Sequence, residues 1–117
     1  MRLPHVPIAE EADFAVIDVP FDTGVTFRAG ARFAPEAIRS NSVLLKPYNI
    51  ALDIDIFKYC SGYDYGDLPI VPGFIEDSYE MIEKGLLPLL DQGIIPVLLG
   101  GDHSITLAEL RAVAKKH

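Results

Sequence analysis

The chain has no tryptophan and a single cysteine, Cys60. One thiol cannot close an internal disulfide, so the chain is not a disulfide scaffold, and it suits a reducing, cytoplasmic compartment. As the lone thiol, Cys60 reads as a packed or loop residue rather than a nucleophile. Positive charge is also scarce: 10 Lys and Arg against 17 Asp and Glu give a net charge of -7. That balance argues against a nucleic-acid surface, which needs clustered cations, and suits a cationic ligand or a metal. No apolar run approaches the roughly 20 residues that span a bilayer. The opening MRLPHVPIAEEAD lacks the apolar stretch of a signal peptide. Low-complexity tracts, internal repeats and interdomain linkers are absent as well. What remains is a chain of 117 residues, 50% of them apolar, which is enough for one globular domain (1–117) with a modest core.

The hydrophobic pattern alternates between two periods. Phe14 to Val19 is a short apolar run that reads as a strand mostly buried on both faces, ending at Pro20. Residues 22–32 form a loop with Gly24 and Gly30. Pro35 then occupies a first helical position with Glu36 in the first turn, predicting a helix over about 35–45 whose inner side includes Ile38 and Leu45. Residues 46–60 read as an irregular excursion, and a second strand is expected around Tyr63 to Gly66. Ile75, Tyr79, Ile82, Leu86 and Leu90 follow helical spacing, so 74–92 reads as an amphipathic helix closed by Gly93, with Pro88 tightening its last turns. Ile94 to Leu99 is the third strand. Thr106 and Glu109 form a capping-box pattern that predicts the start of the last helix, with Lys115 and Lys116 near its C-terminal end. The order β-α-β-α-β-α predicts an α/β fold of three layers, α/β/α, around a mostly parallel sheet with the first strand between the other two.

The only Gly-Gly pair lies directly after the third strand, in Leu98-Leu-Gly-Gly-Asp-His-Ser104. Loops at the carboxyl ends of parallel strands are where such sheets bind ligands. Gly100 and Gly101 let the backbone turn sharply and approach a neighbour closely. A phosphate loop is disfavoured: Asp102 would repel the anion, and no Lys follows the glycines. The same absence disfavours a nucleotide-binding domain. Asp102 beside His103 fits a cation site, in which neutral imidazole is a ligand and the acid orients it or shares its charge. The alternative is that Asp102 caps backbone amides and His103 packs on the loop, because one histidine does not make a metal site.

Read together, several stretches resemble the ureohydrolase family of arginases and agmatinases. Gly100-Gly-Asp-His-Ser104 is similar to that family's first metal-ligand motif. Val19-Pro-Phe-Asp-Thr-Gly24 and Arg28-Ala-Gly-Ala-Arg-Phe-Ala-Pro-Glu-Ala-Ile-Arg39 resemble the agmatinase-like loop and helix that follow the first strand. Ser42 to Asn49 and Asp64-Tyr-Gly-Asp67 look more like the agmatinase and guanidinobutyrase branch than like true arginases. The resemblance implies a pair of Mn²⁺ ions and a metal-bridging hydroxide that attacks a guanidinium carbon and releases urea. It implies that His103 binds one manganese, that Asp102, Gly100 and Gly101 order the loop, and that Phe21, Asp22, Thr23 and Gly24 line the mouth of the cleft. It further implies a small guanidino substrate, agmatine or 4-guanidinobutyrate, and a homo-oligomer with no nucleic-acid or membrane partner.

The departures are as informative. The family's other ligands, in a D-A-H-x-D and a later D-x-D motif, do not occur before His117. The resemblance therefore implies the N-terminal portion of such an enzyme, as an expressed fragment or a truncated reading frame, with no catalytic residue assigned and little activity of its own. The competing expectation is an inactive fragment that serves only as an association module. Asp18 stands where the family has Gly, and Ala34 where Gly is usual before Pro35. Asp53-Ile-Asp55 imitates a D-x-D motif, but the alternation of Leu52, Ile54 and Ile56 makes it the polar side of a half-buried extended segment. Asp64 and Asp67 read as bounding a strand and its turn, Tyr63 and Tyr65 as packing aromatics, and His5 and His117 as exposed.

Overall fold

The computed structural model describes Leu3 and residues 12–116. His5 and His117 lie outside the described residues. The chain forms β1 (Phe14–Val19), α1 (Ala34–Ser42), β2 (Tyr48–Asn49), β3 (Ile54–Asp55), β4 (Gly62–Asp67), α2 (Ile75–Asp91), β5 (Ile95–Gly100) and α3 (Ile105–Ala114). Among the described residues, no helix is long and apolar enough to cross a membrane.

The main sheet runs β4-β1-β5, with β1 parallel to both neighbours, the expected order. Its two faces differ in cover. Ala15, Ile17 and Val19 point to the side packed by Tyr79, Ile82, Leu86 and Leu89 of α2 and by Ile105, Ala108 and Ala112 of α3. This cluster supplies most of the apolar burial that stabilises the chain, at about 25 cal/mol per Å². On α2 the predicted stripe is present, except that Leu89 rather than Leu90 is fully buried and Ile75 sits at the rim, 39% exposed. Gly93, at φ 75°, ends that helix in the left-handed conformation that favours glycine. The helix runs on through Pro88 to Asp91.

The opposite face, carrying Phe14, Val16 and Asp18, receives α1. This helix is shorter than predicted: it stops at Ser42, and Val43 and Leu44 form a turn. Ile38 and Leu45 do turn toward the sheet, where they line a groove, but they remain 45% and 68% exposed rather than buried. Three further expectations are corrected. The last helix starts at Ile105, so Thr106 is not its cap. The excursion contains a small antiparallel pair, Tyr48↔Asp55 and Asn49↔Ile54. Asp53 and Asp55 do not share a strand face. Asp53 lies in the turn at φ 54° and accepts from the Tyr48 hydroxyl, whereas Asp55 caps a short 3-10 turn by accepting from Phe57 N at 3.2 Å.

Candidate functional site

The carboxyl ends of β1, β4 and β5 come out on one edge, and their three loops are tied together there by backbone and short side-chain contacts. Gly101 crosses directly over Phe21: a Cβ on it would lie 1.8 Å from the Phe21 carbonyl oxygen. This contact lets Asp102 N donate to Phe21 O at 2.8 Å, joining the β5 loop to the β1 loop. The Asp102 carboxylate then does two jobs. One oxygen accepts from Gly24 N at 2.9 Å, and the other accepts from Ser104 N at 2.8 Å and from the Ser104 hydroxyl. It thus stands in for the side-chain cap that Ser104, at the N-cap of α3, does not make. Thr23 extends the tie to the third loop, its hydroxyl accepting from Gly73 N at 3.4 Å.

These contacts place the candidate residues unevenly. Phe21 and Asp22 are 1% and 4% exposed, beneath the rim rather than on it, while Thr23 is half-buried and Gly24 exposed. Phe21 stacks on Tyr79 with ring centroids 5.8 Å apart. Asp22 organises the long loop from within, accepting from Gly30 N at 2.7 Å and Arg32 N at 3.3 Å and pairing with Arg32 Nη2 at 2.6 Å. Burial pushes its pKa up, but the Gly30 and Arg32 amides and the Arg32 guanidinium outweigh it and hold the carboxyl below its ordinary value. Its contribution is therefore present above about pH 4 and lost as pH falls further. Replacing Asp22 with Asn should make residues 22–32 the first site of limited proteolysis at neutral pH. Equal cleavage rates in both proteins would show that this carboxylate does not order the loop.

His103 is the exposed member of the set. Its loop borders a cleft of about 310 Å³ lined also by Leu98, Gly100, Gly101, Asp102 and Glu109. Among the described residues, no group of three or more His, Cys, Asp or Glu side chains is placed to hold a metal ion. The donors present thus do not fit a metal pair on their own: His103 is one presented ligand, and Asp102 is engaged by backbone amides.

One cluster was missed by sequence reasoning. Arg39, near the end of α1, holds three carboxylates: Asp18 at 2.6 Å, Asp64 at 2.9 Å and Asp67 at 2.8 Å. Residues three apart on a strand should face opposite ways. A bulge makes the difference: the register shifts between Val16 and Ile17, so Val16 pairs Asp64 while Asp18 pairs Asp67. Gly66, at φ 88°, takes the bend, and Asp64 and Asp67 reach the same guanidinium. The identity of Arg39 and the Gly66 between two acids were the available signals.

Comparison with known proteins converges on one group. The family model described as "Arginase family" matches residues 12–117. The guanidinobutyrase of Pseudomonas aeruginosa is 42% identical over 120 residues, covering 100% of this chain and 38% of the enzyme. The mitochondrial agmatinase of Gallus gallus is 40% identical, covering 100% of this chain and 34% of that protein. Among solved structures, the Trypanosoma cruzi formiminoglutamase with Mn²⁺ superimposes with a TM-score of 0.82 at 28% identity, over 95% of this chain and 38% of the other. The chain thus spans little more than a third of the length of these relatives.

Proposed function

Because the chain belongs to the arginase family, we propose that it forms the N-terminal part of a manganese-dependent hydrolase that cleaves a guanidino compound to urea and an amine. The chain's own contribution is a rigid platform that presents one metal ligand, His103. The observation that carries this reading is the loop interlock: Gly101 against Phe21, and Asp102 bound to Gly24 and Ser104, leave His103 exposed at the carboxyl edge of the sheet. A loop fixed in this way holds an imidazole in one direction, as a metal centre requires. Similarity to a guanidinobutyrase supports 4-guanidinobutyrate as substrate, and similarity to an agmatinase supports agmatine. The manganese in a structural neighbour supports the choice of metal. When bound, the metal pair would supply an activated water; the residues described here do not complete its coordination, and no step is assigned to them beyond positioning.

Two measurements test this. The 117-residue chain alone should release no urea from agmatine or 4-guanidinobutyrate with Mn²⁺ present. Metal-dependent turnover by the purified chain would mean that its own side chains complete the centre. In the complete enzyme, His103→Ala should remove about one manganese per protomer and lower urea release by roughly a hundredfold or more, with Lys84→Ala on the exposed side of α2 as the unaffected control. Full metal content and normal turnover in the His103 variant would return that residue to a loop-surface role.

A further inference from the structure

The carboxylates around Arg39 do not share its guanidinium equally. Asp64 takes two of the nitrogens, its oxygens accepting from Nε at 3.0 Å and from Nη2 at 2.9 Å. The third, Nη1, is divided: Asp67 accepts from it at 2.8 Å, and Asp18 lies 2.6 Å from it. Only the Asp67 contact is an aligned hydrogen bond, and both Asp18 oxygens are buried without one. Asp18 and Asp67 are also direct partners across the β1–β4 pair. Water screens Asp67, whose side chain is 61% exposed, but not Asp18. On its other side Asp18 pairs with Leu99 of β5, which brings no charge. The groups that act on it are Arg39 from α1, Asp67 and Asp64 from β4 and, least, the chain's terminal amino group.

We propose that Asp18 is a proton-operated latch for α1: protonated, it lets the helix seat on the β1–β4 face through Arg39, and ionised, it loosens that seat. The step is the exchange of one proton with water. A buried carboxylate without hydrogen bonds is costly, whereas the neutral carboxyl costs far less and gains an O–H donor. When the proton leaves, Asp18 and Asp67 repel across the strand pair and compete for one nitrogen, and two carboxylates at one site resist ionising together. Opening to water relieves the buried charge, and α1, held by the same Arg39, is the cover that must lift. Burial raises the Asp18 pKa against the pull of Arg39, which is the direction a latch of this sign needs. The latch therefore holds fully below about pH 4 and releases as pH rises through the raised value. Asp64, held below its ordinary value by hydrogen bonds from Arg39 and Gly66, stays ionised over that range and keeps the guanidinium in place. The inference is independent of the hydrolytic reading.

The test is amide hydrogen exchange of the chain between about pH 4.5 and 7, corrected for the intrinsic pH dependence of exchange. Protection of the Ala34–Ser42 amides should fall roughly threefold or more over that range, one proton setting a ceiling of about tenfold per pH unit. The amides of α2, on the opposite face, should lose less. Asp18→Asn keeps the shape and is neutral at every pH, so its α1 protection should be flat and should exceed that of wild type near pH 7. Carbon-13 NMR of the Asp18 carboxyl supplies a measurement that needs no variant. Its midpoint should lie above the ordinary aspartate value of about 3.9, and Asp67→Asn should lower it by removing one repelling charge. The proposal is overturned if Asp18 titrates at or below that ordinary value, or if Asp67→Asn leaves its midpoint unmoved. Equal pH dependence in wild type and Asp18→Asn would overturn it too. So would an equal loss of protection in α1 and α2, which would mark a change in global stability rather than a latch on one helix.

Discussion

Gly101→Ala is expected to be among the most destabilising single substitutions in this chain. The added methyl carbon would lie 1.8 Å from the Phe21 carbonyl oxygen and 2.7 Å from its carbon, and both are backbone atoms with no rotamer to escape through. Either the β5 loop lifts away, or β1 is displaced at its carboxyl end. Lifting the loop breaks the Asp102 N to Phe21 O bond and carries Asp102 away from Gly24 N. Displacing β1 disturbs Phe21, which packs 1% exposed against Tyr79. Overpacking against backbone together with the loss of these loop hydrogen bonds costs on the order of 3–5 kcal/mol. Urea unfolding followed by circular dichroism should show a sharply lowered midpoint with little change in slope. Gly100→Ala provides the contrast. Its new carbon comes closest to the Cδ1 end of the Ile105 side chain, at 2.3 Å, a side-chain tip rather than backbone. Similar losses for the two glycines would mean that the close approach to Phe21 is not what fixes the loop.

The reasons this site could be read in part from sequence lie in the range of its contacts. β1, β4, α2 and β5 announce themselves because burial on one face imposes a short-range period, and the structure moves their ends by only one residue or so. The GGDHS loop was legible because two glycines after an apolar run have few other uses. What escaped was set by pairings distant in sequence. That Asp102 caps its own helix and binds Gly24, 78 residues away, cannot be seen from spacing. The capping box at Thr106 misled because Asp102 already supplies the cap one turn earlier. Ile38 and Leu45 were expected inside because periodicity reports which side a residue faces, not whether anything covers that side. Asp64 and Asp67 looked like turn residues because a bulge, invisible in composition, is what puts them on one face.

Arg39→Met should be the other costly change, and its cost should depend on pH. Asp18 is 1% exposed, with Arg39 Nη1 2.6 Å from its carboxylate, a charge-to-charge contact without hydrogen-bond alignment. Met keeps the length and apolar bulk of the Arg stem and removes only the charge. It leaves Asp18 as a buried carboxylate beside Asp64 and Asp67 with its cation gone. Breaking a buried pair from one side costs about 3–5 kcal/mol, far more than losing a surface pair. The pH dependence follows from buried Asp18 and half-buried Asp64. Burial raises the Asp18 pKa against the pull of Arg39, so its favourable share is present in acid and fades as pH rises. Burial also pushes Asp64 up, but hydrogen bonds from Arg39 and Gly66 hold it below its ordinary value, so its share is present near neutrality and is lost in acid. Removing the guanidinium deepens the first effect and weakens the second. The gap between wild type and Arg39→Met should therefore widen as pH rises from roughly 4 to 7. Asp18→Gly added to Arg39→Met should recover part of the loss, since it removes the stranded charge; the two changes would then be non-additive. Unfolding midpoints at both pH values for wild type, Asp18→Gly, Arg39→Met and the double variant decide it. A gap that stays constant with pH, or a double variant no better than Arg39→Met, would show that Arg39 acts by packing rather than as the counter-ion of Asp18.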